Sequence, residues 1–372
     1  MTRSSVAIYL SCYDHEMTGL GTYAAEIVPK VIQALQDEGL DAILYLPSDT
    51  ELPLSSAAKV SIQYLPKVVR KSVSGSFAPF VRLFVDLWFA RKVNRSQLVY
   101  TPFSFAPLFS KNRIITIHDA ICFHFPLQKP IQTLYFSLIL RSLAKKSRKI
   151  ITISETTRSD LLKWFKLDQE KIQVVYNGLK RRNVSLENGE ACSLAVEFSS
   201  NKFFLALGTT YRHKNMEVVF EACRLMHSSA PIVIVGPKSE YLNSLLKKYS
   251  DLVSTGRVVD FGFVSEAQLL TAFRKCIAVI VPSKYEGFSL PVGEALLEGA
   301  KVLASDIPVH REIYSRYVRF FDADSAIDLA ANLDSIETAL FQLSDLSDLQ
   351  GKCSWERAAG EISEAILRAL QS

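Results

Sequence analysis

The chain has 372 residues, of which 48% are hydrophobic and 22% are charged. This composition suits a globular protein of about two domains and excludes a disordered or fibrous chain. No apolar run approaches the roughly 20 residues that span a bilayer. The N-terminal apolar run predicts a first strand rather than a signal peptide, so we expect a cytoplasmic protein. The six cysteines show no CxxC spacing, which argues against a zinc site and a disulfide framework.

Charge is unevenly distributed along the chain. Residues 1–182 carry 25 Lys+Arg and 14 Asp+Glu, whereas residues 183–372 carry 18 and 24. A basic half joined to an acidic half suggests that one domain meets an anionic partner. No nucleic-acid-binding motif or arginine-rich segment is present, so nucleic acid is not expected. A membrane surface and a phosphorylated acceptor fit the charge equally well.

In the first half, strand-like apolar runs alternate with helical patterns. A helix is predicted over 21–38, ending at Gly39, and others near 131–147 and 155–166. Ser154 is the predicted N-cap of the helix at 155–166. The predicted strands are Val6–Leu10, Ala42–Leu46, Gln97–Tyr100, Arg113–Ile117, Lys149–Ile153 and Ile172–Tyr176. This alternation predicts a parallel sheet covered on both faces.

A polar stretch at 179–201 interrupts the alternation and predicts a linker between domains. The alternation then restarts, and an amphipathic helix from Trp355 ends the chain. The later predicted strands are Phe203–Leu207, Ile232–Val235, Val258–Phe261, Ala278–Val281 and Lys301–Ala304. We therefore expect an α/β protein with two doubly wound, Rossmann-like domains, over 1–180 and 181–354. Such sheets bind ligands beyond the carboxyl ends of their strands, which predicts an interdomain cleft.

Two motifs fall in the first half. GLGTYA at 19–24 matches the GxGxxA dinucleotide fingerprint, but eight residues separate it from the strand that a Rossmann fingerprint follows almost at once. An NAD-dependent enzyme is therefore not expected. The glycines present helix-start amides to a phosphate or form a structural turn. His118 follows the strand Arg113–Ile117 directly, a position that suits either a ligand contact or a structural histidine.

The second half has a cationic loop and a pair of carboxylates. Arg212 and Lys214 follow the first strand of this half and suit either a diphosphate or a solvated loop. The segment PSKYEGFSLPVGE, from Pro282, places Glu286 and Glu294 eight residues apart around a helix start. The free amides of a helix start form an anion site. Both carboxylates cannot contact phosphate there, so we expect them to bind sugar hydroxyls.

A DxD sequence, Asp322 and Asp324, formally resembles a metal-binding motif found in some sugar transferases. It lies between a short apolar run and a helix start near Ser325, which favours helix capping over metal binding. We therefore expect neither a metal nor a cofactor.

Together these motifs resemble the retaining GT-B glycosyltransferases of family four (glycosyl transferases group 1), which use nucleotide sugars. The spacing of Glu286 and Glu294 matches the E-x7-E motif of that family. The resemblance covers nearly the whole chain and rests on these segments: GLGTY, TIHD, TISETTRSDL, VVYNG, ALGTTYRHKN, FGFVSEAQL and EGFSLPVGEALLEGAKVLASDIPVHREI.

The resemblance implies a role for each site residue. His118 would lie at the reacting centre, and Lys214 with Arg212 would neutralise the departing diphosphate. Glu286 would hold the hydroxyls of the transferred sugar, and Glu294 the ribose. Backbone groups would contact the donor at Gly21, Gly287, Phe288, Ser289 and Leu290 for the phosphates and sugar, and at Phe263 and Val264 for the base. The terminal helix, residues 355–372, would pack on the first domain.

The function implied is metal-independent, retaining transfer of a hexose, preferably mannose, from a nucleoside-diphosphate sugar. The acceptor would be a saccharide or a lipid-linked saccharide in surface polysaccharide or lipopolysaccharide synthesis. UDP, GDP and ADP donors all stay open, because base contacts in the family are largely made by backbone. The alternatives are a nucleotide-sugar epimerase, a phosphorylase or a non-catalytic nucleotide-sugar-binding protein. The E-x7-E segment, together with the Lys214 loop, favours the transferase.

Two departures from the family pattern affect the site. Ser289 stands where the family often has glycine. The usual R-K-N appears here as R-H-K-N, so that either Arg212 or His213 fills the place of the arginine.

A lipid-linked acceptor and a basic first half together predict contact with an anionic membrane. Lys67, Arg70 and Lys71 precede an aromatic-rich stretch at 77–93, which is either a membrane-inserting segment or a buried core helix. A second basic run, at 141–149, closes the predicted helix near 131–147. We expect reversible, salt-sensitive binding at the inner face of the cytoplasmic membrane.

Overall fold

The computed structural model describes most of the chain, in two compact units. The described residues are 5–14, 18–54, 60–69, 81–86, 97–107, 110, 112–181, 202–338 and 345–371. One unit comprises Met1–Gly178 with Lys352–Ser372, and the other comprises Leu179–Gly351. Of the stretch at 77–93 only 81–86 is described, and of the predicted linker only 179–181. The remaining parts of both predictions lie outside the described residues.

The first unit is built around one parallel sheet. Its strands are β1 Ser5–Tyr9, β2 Asp41–Pro47, β3 Val60–Leu65, β4 Leu98–Thr101, β5 Arg113–Ile117, β6 Lys149–Thr152 and β7 Ile172–Val174. Their order is β3-β2-β1-β4-β5-β6-β7, and every pair is parallel. The direction of winding reverses between β1 and β4, so a topological switch point lies at their carboxyl ends.

Helices connect these strands, as the alternation of patterns predicts. They are α1 Thr18–Asp37, α2 Ile121–His124, α3 Pro130–Tyr135, α4 Arg141–Lys146 and α5 Glu155–Phe165. A π-helical stretch, Phe136–Leu140, joins α3 to α4 without a break. The predicted cap of α5 is confirmed, because the Ser154 hydroxyl accepts a hydrogen bond from the Thr157 amide.

The second unit repeats this plan with a second parallel sheet. Its strands are β8 Phe204–Leu207, β9 Ile232–Val235, β10 Val258–Gly262, β11 Ala278–Val281, β12 Val302–Ser305 and β13 Arg319–Phe321. Their order is β10-β9-β8-β11-β12-β13, again parallel throughout. The switch point here lies between β8 and β11. The predicted pair of doubly wound sheets is therefore confirmed.

The helices of the second unit follow its strands, and two more end the chain. They are α6 Met216–Leu225, α7 Glu240–Lys248, α8 Ser250–Ser254, α9 Glu266–Lys275, α10 Leu290–Leu297, α11 Pro308–Tyr314, α12 Ala326–Thr338, α13 Ser347–Lys352 and α14 Trp355–Gln371. Serine caps begin α7 and α9, at Ser239 and Ser265. Among the described residues, none of the helices has the length and apolarity needed to cross a bilayer.

Two strands and one helix start depart from the sequence-based expectations. The edge strand β3 was not predicted, because four of its six side chains are exposed and it carries no buried run. The edge strand β13 is only three residues long, and its sequence indicates a short apolar run rather than a strand. Helix α1 begins at Thr18 rather than Gly21, so that both glycines of GLGTY lie inside its first turn.

The terminal helix α14 packs against α1 within the first unit. Lys30 of α1 pairs with Glu356 at 2.9 Å, and the rings of Tyr23 and Trp355 lie 5.9 Å apart, edge to face. Trp355 is buried, and its indole lies directly against the backbone of Gly178. A side chain at position 178 has no room, because its first carbon would overlap the indole of Trp355.

This contact predicts the effect of Gly178→Ala. The added methyl group forces α14 away from the sheet, and we expect a loss of about 2 kcal/mol in the free energy of unfolding. Gly360→Ala is the matched control, since Gly360 lies inside α14 with open space around it. Alanine there should stabilise the helix by about 1 kcal/mol. Thermal unfolding of both variants is the measurement, and an unchanged midpoint for Gly178→Ala contradicts the packing described.

Candidate functional site

Two loops meet at the switch point of the second sheet. One loop, 208–215, follows β8, and the other, 282–289, follows β11, which is the neighbouring strand. Since both strands are parallel, their carboxyl ends lie at the same edge of the sheet. The two segments that carry the strongest motifs of this half are therefore brought together by the strand order.

The loop after β8 is held in a compact shape by two unusual backbone positions. Gly208 has φ +104°, and the side-chain stem of Lys214 lies against it, 3.2 Å from where a Cβ would stand. Asn215 ends the short 3-10 turn Arg212–Lys214 in the left-handed region, with φ 57°. Glycine and asparagine are the residues that adopt such angles most readily.

Hydrogen bonds join this loop to the loop after β11. The Asn215 side-chain amide donates to the carbonyl of Pro282 at 3.1 Å and to that of Ala323 at 2.7 Å. In return, the Lys284 amide donates to the carbonyl of His213 at 2.8 Å. The relative placement of the two loops is thus set by backbone groups, which fixes where their charged side chains meet.

Lys214 and Glu286 form an ion pair across the two loops. The Lys214 Nζ lies 2.6 Å from Oε1 of Glu286, and the hydroxyl of Ser283 donates to the same oxygen at 2.6 Å. Both partners are mostly buried, with the Lys214 side chain 26% and the Glu286 side chain 15% exposed. A charge-assisted pair in such surroundings is stronger than one on the surface.

The charge state of Glu286 follows from these contacts. Burial alone raises the pKa of its carboxyl group, but Lys214 and the Ser283 hydroxyl, with a smaller effect from His310, hold it below the ordinary value. Glu286 is therefore an anion at neutral pH. Its negative charge is balanced by the Lys214 ammonium, so the pair is close to neutral as a unit.

The helix α10 begins directly after this pair. Ser289 is its N-cap residue, with φ 71° and ψ 61°, and Pro291 lies in the first turn as predicted. The amides that open a helix have no carbonyl partner in a preceding turn, which suits them to binding an anion. That the amides near Phe288, Ser289 and Leu290 bind one stays a prediction. Left-handed backbone costs a residue other than glycine about 1 kcal/mol.

Two more predicted contacts lie around this helix start. Glu294 stands four residues into α10 and is partly buried. Phe263 follows β10 directly and its side chain is 80% exposed, whereas Val264 is buried. Gly287, between Glu286 and Phe288, is partly buried.

His118 lies in the first unit, directly after β5. Its Nε2 is 2.7 Å from the carbonyl oxygen of Pro102, which can only accept, so Nε2 carries the proton and Nδ1 carries the lone pair. Burial lowers the pKa of His118, although the contacts with Pro102 and Asp119 oppose this effect. The imidazole is thus neutral at neutral pH and has one hydrogen-bond acceptor to offer.

The ring of Tyr23 connects His118 to the start of α1. The two ring centroids lie 4.5 Å apart, edge to face. Tyr23 follows Gly21 by two residues on α1, and Gly21 is buried in the first turn. The structure therefore brings the GLGTY and TIHD motifs together, whereas Lys214 and Glu286 belong to the other unit.

Of the two candidates for the family's arginine, Arg212 is exposed and His213 is buried. The ring of His213 stacks on Tyr211 at 5.4 Å. Its carbonyl is the group that accepts from Lys284. These placements favour a structural part for His213 and leave Arg212 accessible to a ligand.

The DxD segment is engaged in local contacts. The Asp322 carboxylate accepts from the Asp324 amide at 2.9 Å, and Asp324 pairs with Lys284 at 2.5 Å. The hydroxyl that caps α12 belongs to Ser325 and accepts a hydrogen bond from the Asp328 amide at 3.1 Å. The expected capping by the two DxD aspartates is therefore wrong. Within the described ranges, no three His, Cys, Asp or Glu side chains are grouped to hold a metal.

Sequence reasoning missed four residues that support the site. Asn215 lies in the segment ALGTTYRHKN and Ser283 in PSKYEGFSLPVGE, but the sequence predicts no role for either residue. His310 and Tyr314 lie on α11: the Nδ1 of His310 bonds the Ser305 carbonyl at 2.8 Å, and the Tyr314 hydroxyl donates to the Ser289 carbonyl at 3.0 Å. In the sequence, the available signal is their spacing of four residues, which places both on one face of a helix.

Two protein-family models together match most of the chain. The model described as Glycosyltransferase Family 4 matches residues 18–181, and the model described as Glycosyl transferases group 1 matches residues 195–340. The chain belongs to glycosyltransferase family 4. It is 27% identical, over 278 residues, to the O-antigen chain mannosyltransferase RfbU of Salmonella typhimurium. That match covers 73% of this chain and 75% of the relative.

Solved structures of glycosyltransferases show the same fold. A glycosyltransferase from Rickettsia africae has a TM-score of 0.65 at 17% identity, covering 100% of this chain and 98% of that one. Anabaena HepE, in complex with UDP and glucose, has a TM-score of 0.65 at 15% identity, covering 99% and 98%. The predicted GT-B fold, with two Rossmann-like domains, is confirmed. In this family-4 chain, the Lys214–Glu286 pair lies at the start of α10 in the second domain.

The buried pair predicts a pH-dependent effect of Lys214→Met. In the parent protein, the lowered pKa of Glu286 contributes stability above the ordinary glutamate value, and this is lost as pH falls through the lowered pKa. Without Lys214, burial raises that pKa instead. The free energy of unfolding of the variant is therefore lowered most at neutral pH, where Glu286 would be an unpaired anion. We expect a loss of about 2 kcal/mol near neutral pH that shrinks in acid.

Urea unfolding at neutral and acidic pH measures this effect. Lys248→Met is the matched control, because Lys248 pairs with Glu217 in the open, where water screens the charges. Adding Glu286→Gln to Lys214→Met should restore most of the lost stability. An equal loss at both pH values means that Lys214 does not hold the charge of Glu286.

Proposed function

We propose that this chain is a retaining hexosyltransferase that moves mannose from a nucleoside-diphosphate sugar to a saccharide or lipid-linked acceptor. Its product would extend a surface polysaccharide. The observation that carries the proposal is the Lys214–Glu286 pair at the start of α10, where a cation and free amides meet a fixed carboxylate. The preference for mannose is supported by the relative RfbU, whose name describes an O-antigen chain mannosyltransferase.

The cationic side of the site suits the donor diphosphate. The opening amides of α10 provide a positive potential, the Lys214 ammonium has donors beyond the one that Glu286 accepts, and the exposed Arg212 lies two residues before Lys214. As the sugar–phosphate bond breaks, negative charge grows on the departing diphosphate. Groups already in place stabilise that charge without reorganisation, which is the main source of rate enhancement in such sites.

The anionic side suits the transferred sugar. One oxygen of Glu286 is occupied by Lys214 and Ser283. A carboxylate held in this way accepts hydrogen bonds from sugar hydroxyls with its other oxygen but is a poor nucleophile. Glu294, further along α10, is proposed to hold the ribose. Phe263 and Val264 are proposed to meet the base through their backbone.

These roles favour transfer on the front face of the donor sugar. The acceptor oxygen bonds to the anomeric carbon as the bond from that carbon to the phosphate oxygen breaks. The leaving phosphate takes the proton of the acceptor hydroxyl, so atoms and charge balance without a second carboxylate. The neutral His118, with its Nδ1 lone pair, is proposed to accept a hydrogen bond from a substrate hydroxyl.

The stereochemistry of the product tests this proposal. Nucleotide sugars are first screened by thermal shift, and the donor that binds is then used with a saccharide or lipid-linked acceptor. We expect an α-linked product from an α-linked donor, observed as the anomeric signal in the NMR spectrum. A β-linked product refutes retention. A chain that neither binds nor hydrolyses any of the GDP, UDP and ADP sugars refutes the transferase itself.

Transfer is also proposed to need no divalent metal, because Lys214, Arg212 and the start of α10 supply the positive charge. The two aspartates of the DxD segment support this, since both are engaged with protein groups. We expect full activity in EDTA. Lys214→Ala should lower the rate by roughly 10²–10³, as expected for removal of a preorganised charge. Activity lost in EDTA and restored only by Mg²⁺ or Mn²⁺ contradicts this prediction.

The first domain is proposed to meet an anionic membrane surface. Ile131, Leu134 and Leu138 recur at intervals of three and four residues, and all are exposed, Leu138 by 64%. Arg141 and Lys145 continue the same spacing at the end of this helical segment. An apolar strip followed by cations suits insertion among lipid headgroups, each cation adding about 1 kcal/mol near the surface.

Flotation with liposomes tests the membrane proposal. We expect the parent protein to float with anionic vesicles at low salt, to dissociate at high salt and to ignore neutral vesicles. Replacing both Leu134 and Leu138 by glutamate should abolish flotation. Replacing Leu225 and Ile327 by glutamate is the control, because these exposed apolar residues lie in the other domain. A parent protein that ignores anionic vesicles at low salt refutes the proposal and favours a soluble acceptor.

A further inference from the structure

Ser289 has a backbone conformation that its own side chain does not explain. Its φ of 71° lies in the left-handed region, where glycine is the usual residue. The residue is buried, and its hydroxyl makes no hydrogen bond within the described structure. It is the N-cap of α10 yet provides no side-chain cap. Another group must therefore hold this conformation.

That group is the hydroxyl of Tyr314. It donates a hydrogen bond to the Ser289 carbonyl at 3.0 Å, and the Val292 amide donates to the same oxygen at 3.1 Å. Tyr314 is fully buried, and its ring meets the ring of Phe288 edge to face at 6.3 Å. Two donors thus fix the direction of one carbonyl group.

Fixing this carbonyl also fixes an amide of the proposed donor site. The Ser289 carbonyl and the Leu290 N–H belong to one planar peptide group and point in opposite directions. Pulling the oxygen toward Tyr314 therefore turns the N–H away from Tyr314. Leu290 is the first residue of α10, so its N–H is one of the free donors at the helix start.

The helix that carries Tyr314 is tied to the end of β12 by two local contacts. One turn before Tyr314, His310 bonds the Ser305 carbonyl at the end of β12. Next to it, Arg311 forms two hydrogen bonds of 2.6 Å with the Asp306 carboxylate. The Tyr314 hydroxyl is thus presented from a rigid support, which a positioning role requires.

We propose that Tyr314 is a positioning residue for the donor site: its hydroxyl holds Ser289 in the left-handed conformation and so aims the Leu290 N–H at the donor diphosphate. It supplies by a hydrogen bond what a glycine at position 289 supplies by its freedom. This inference rests on the proposed function for the ligand, but the backbone arrangement stands independently of it.

Replacing residue 289 by glycine separates this role from a general structural one. The variants are Tyr314→Phe, Ser289→Gly and the two combined. Tyr249→Phe is the control, since Tyr249 is likewise buried but its hydroxyl donates to Glu221, outside the site. Two properties are measured: hydrogen exchange of the Val292 amide without ligand, and the Kd for GDP and for UDP.

In Tyr314→Phe we expect faster exchange at Val292 and a Kd about fivefold higher, consistent with loss of one hydrogen bond. In the Ser289→Gly background, the same change should alter exchange and Kd less than twofold, while still lowering the unfolding temperature. Tyr249→Phe should leave exchange and Kd unchanged. A loss of binding that depends on whether residue 289 is serine or glycine is what a purely structural tyrosine would not show.

Two results overturn the inference. One is unchanged exchange at Val292 in Tyr314→Phe. The other is a loss in Tyr314→Phe that is equally large with serine and with glycine at position 289. If the parent protein binds neither nucleotide, the proposed donor site is refuted instead. The role of Tyr314 in the backbone can still be judged then, because the exchange measurement needs no ligand.

Discussion

The second domain depends on one electrostatic constraint: the buried charges of Lys214 and Glu286 must meet. Each charge alone is destabilising in such surroundings, because burial penalises an ion that lacks a partner. Their loops lie about 70 residues apart in sequence and are adjacent only because β8 and β11 pair at the switch point of the sheet. Asn215 and the Lys284 amide then lock one loop to the other. The strand order is thus a condition for the chemistry of the site.

A neutralised pair is also well suited to a charged substrate. An isolated lysine would bind diphosphate strongly in both ground and transition states, which gives affinity without rate. Here the ammonium already has a partner in Glu286. As negative charge accumulates on a departing phosphate, the balance of attraction shifts from the carboxylate toward the phosphate.

The sequence predicts the central strands of both sheets well, but it does not predict the side-chain contacts that hold the candidate site. Buried central strands such as β5 and β11 were predicted to the residue, because continuous apolar runs bounded by loops have few alternatives. The edge strand β3 lacks such a run, and the apolar run at β13 is too short to predict a strand, so neither strand was predicted. The spacing of Glu286 and Glu294 indicated the site. No local pattern announces that Asn215 joins two loops or that Tyr314 reaches Ser289, because these contacts exist only after the domain folds.

The support of Ser289 shows why a departure from a family pattern is informative. A serine in place of the frequent glycine adds a side chain and disfavours the required φ, so the backbone at the start of α10 needs another source of order. The chain places a buried tyrosine hydroxyl at the affected carbonyl. The hydrogen bond from Tyr314 thereby takes the place of the backbone freedom that a glycine at position 289 would have. The Leu290 amide is thus directed before any anion binds, so little conformational entropy is lost on binding.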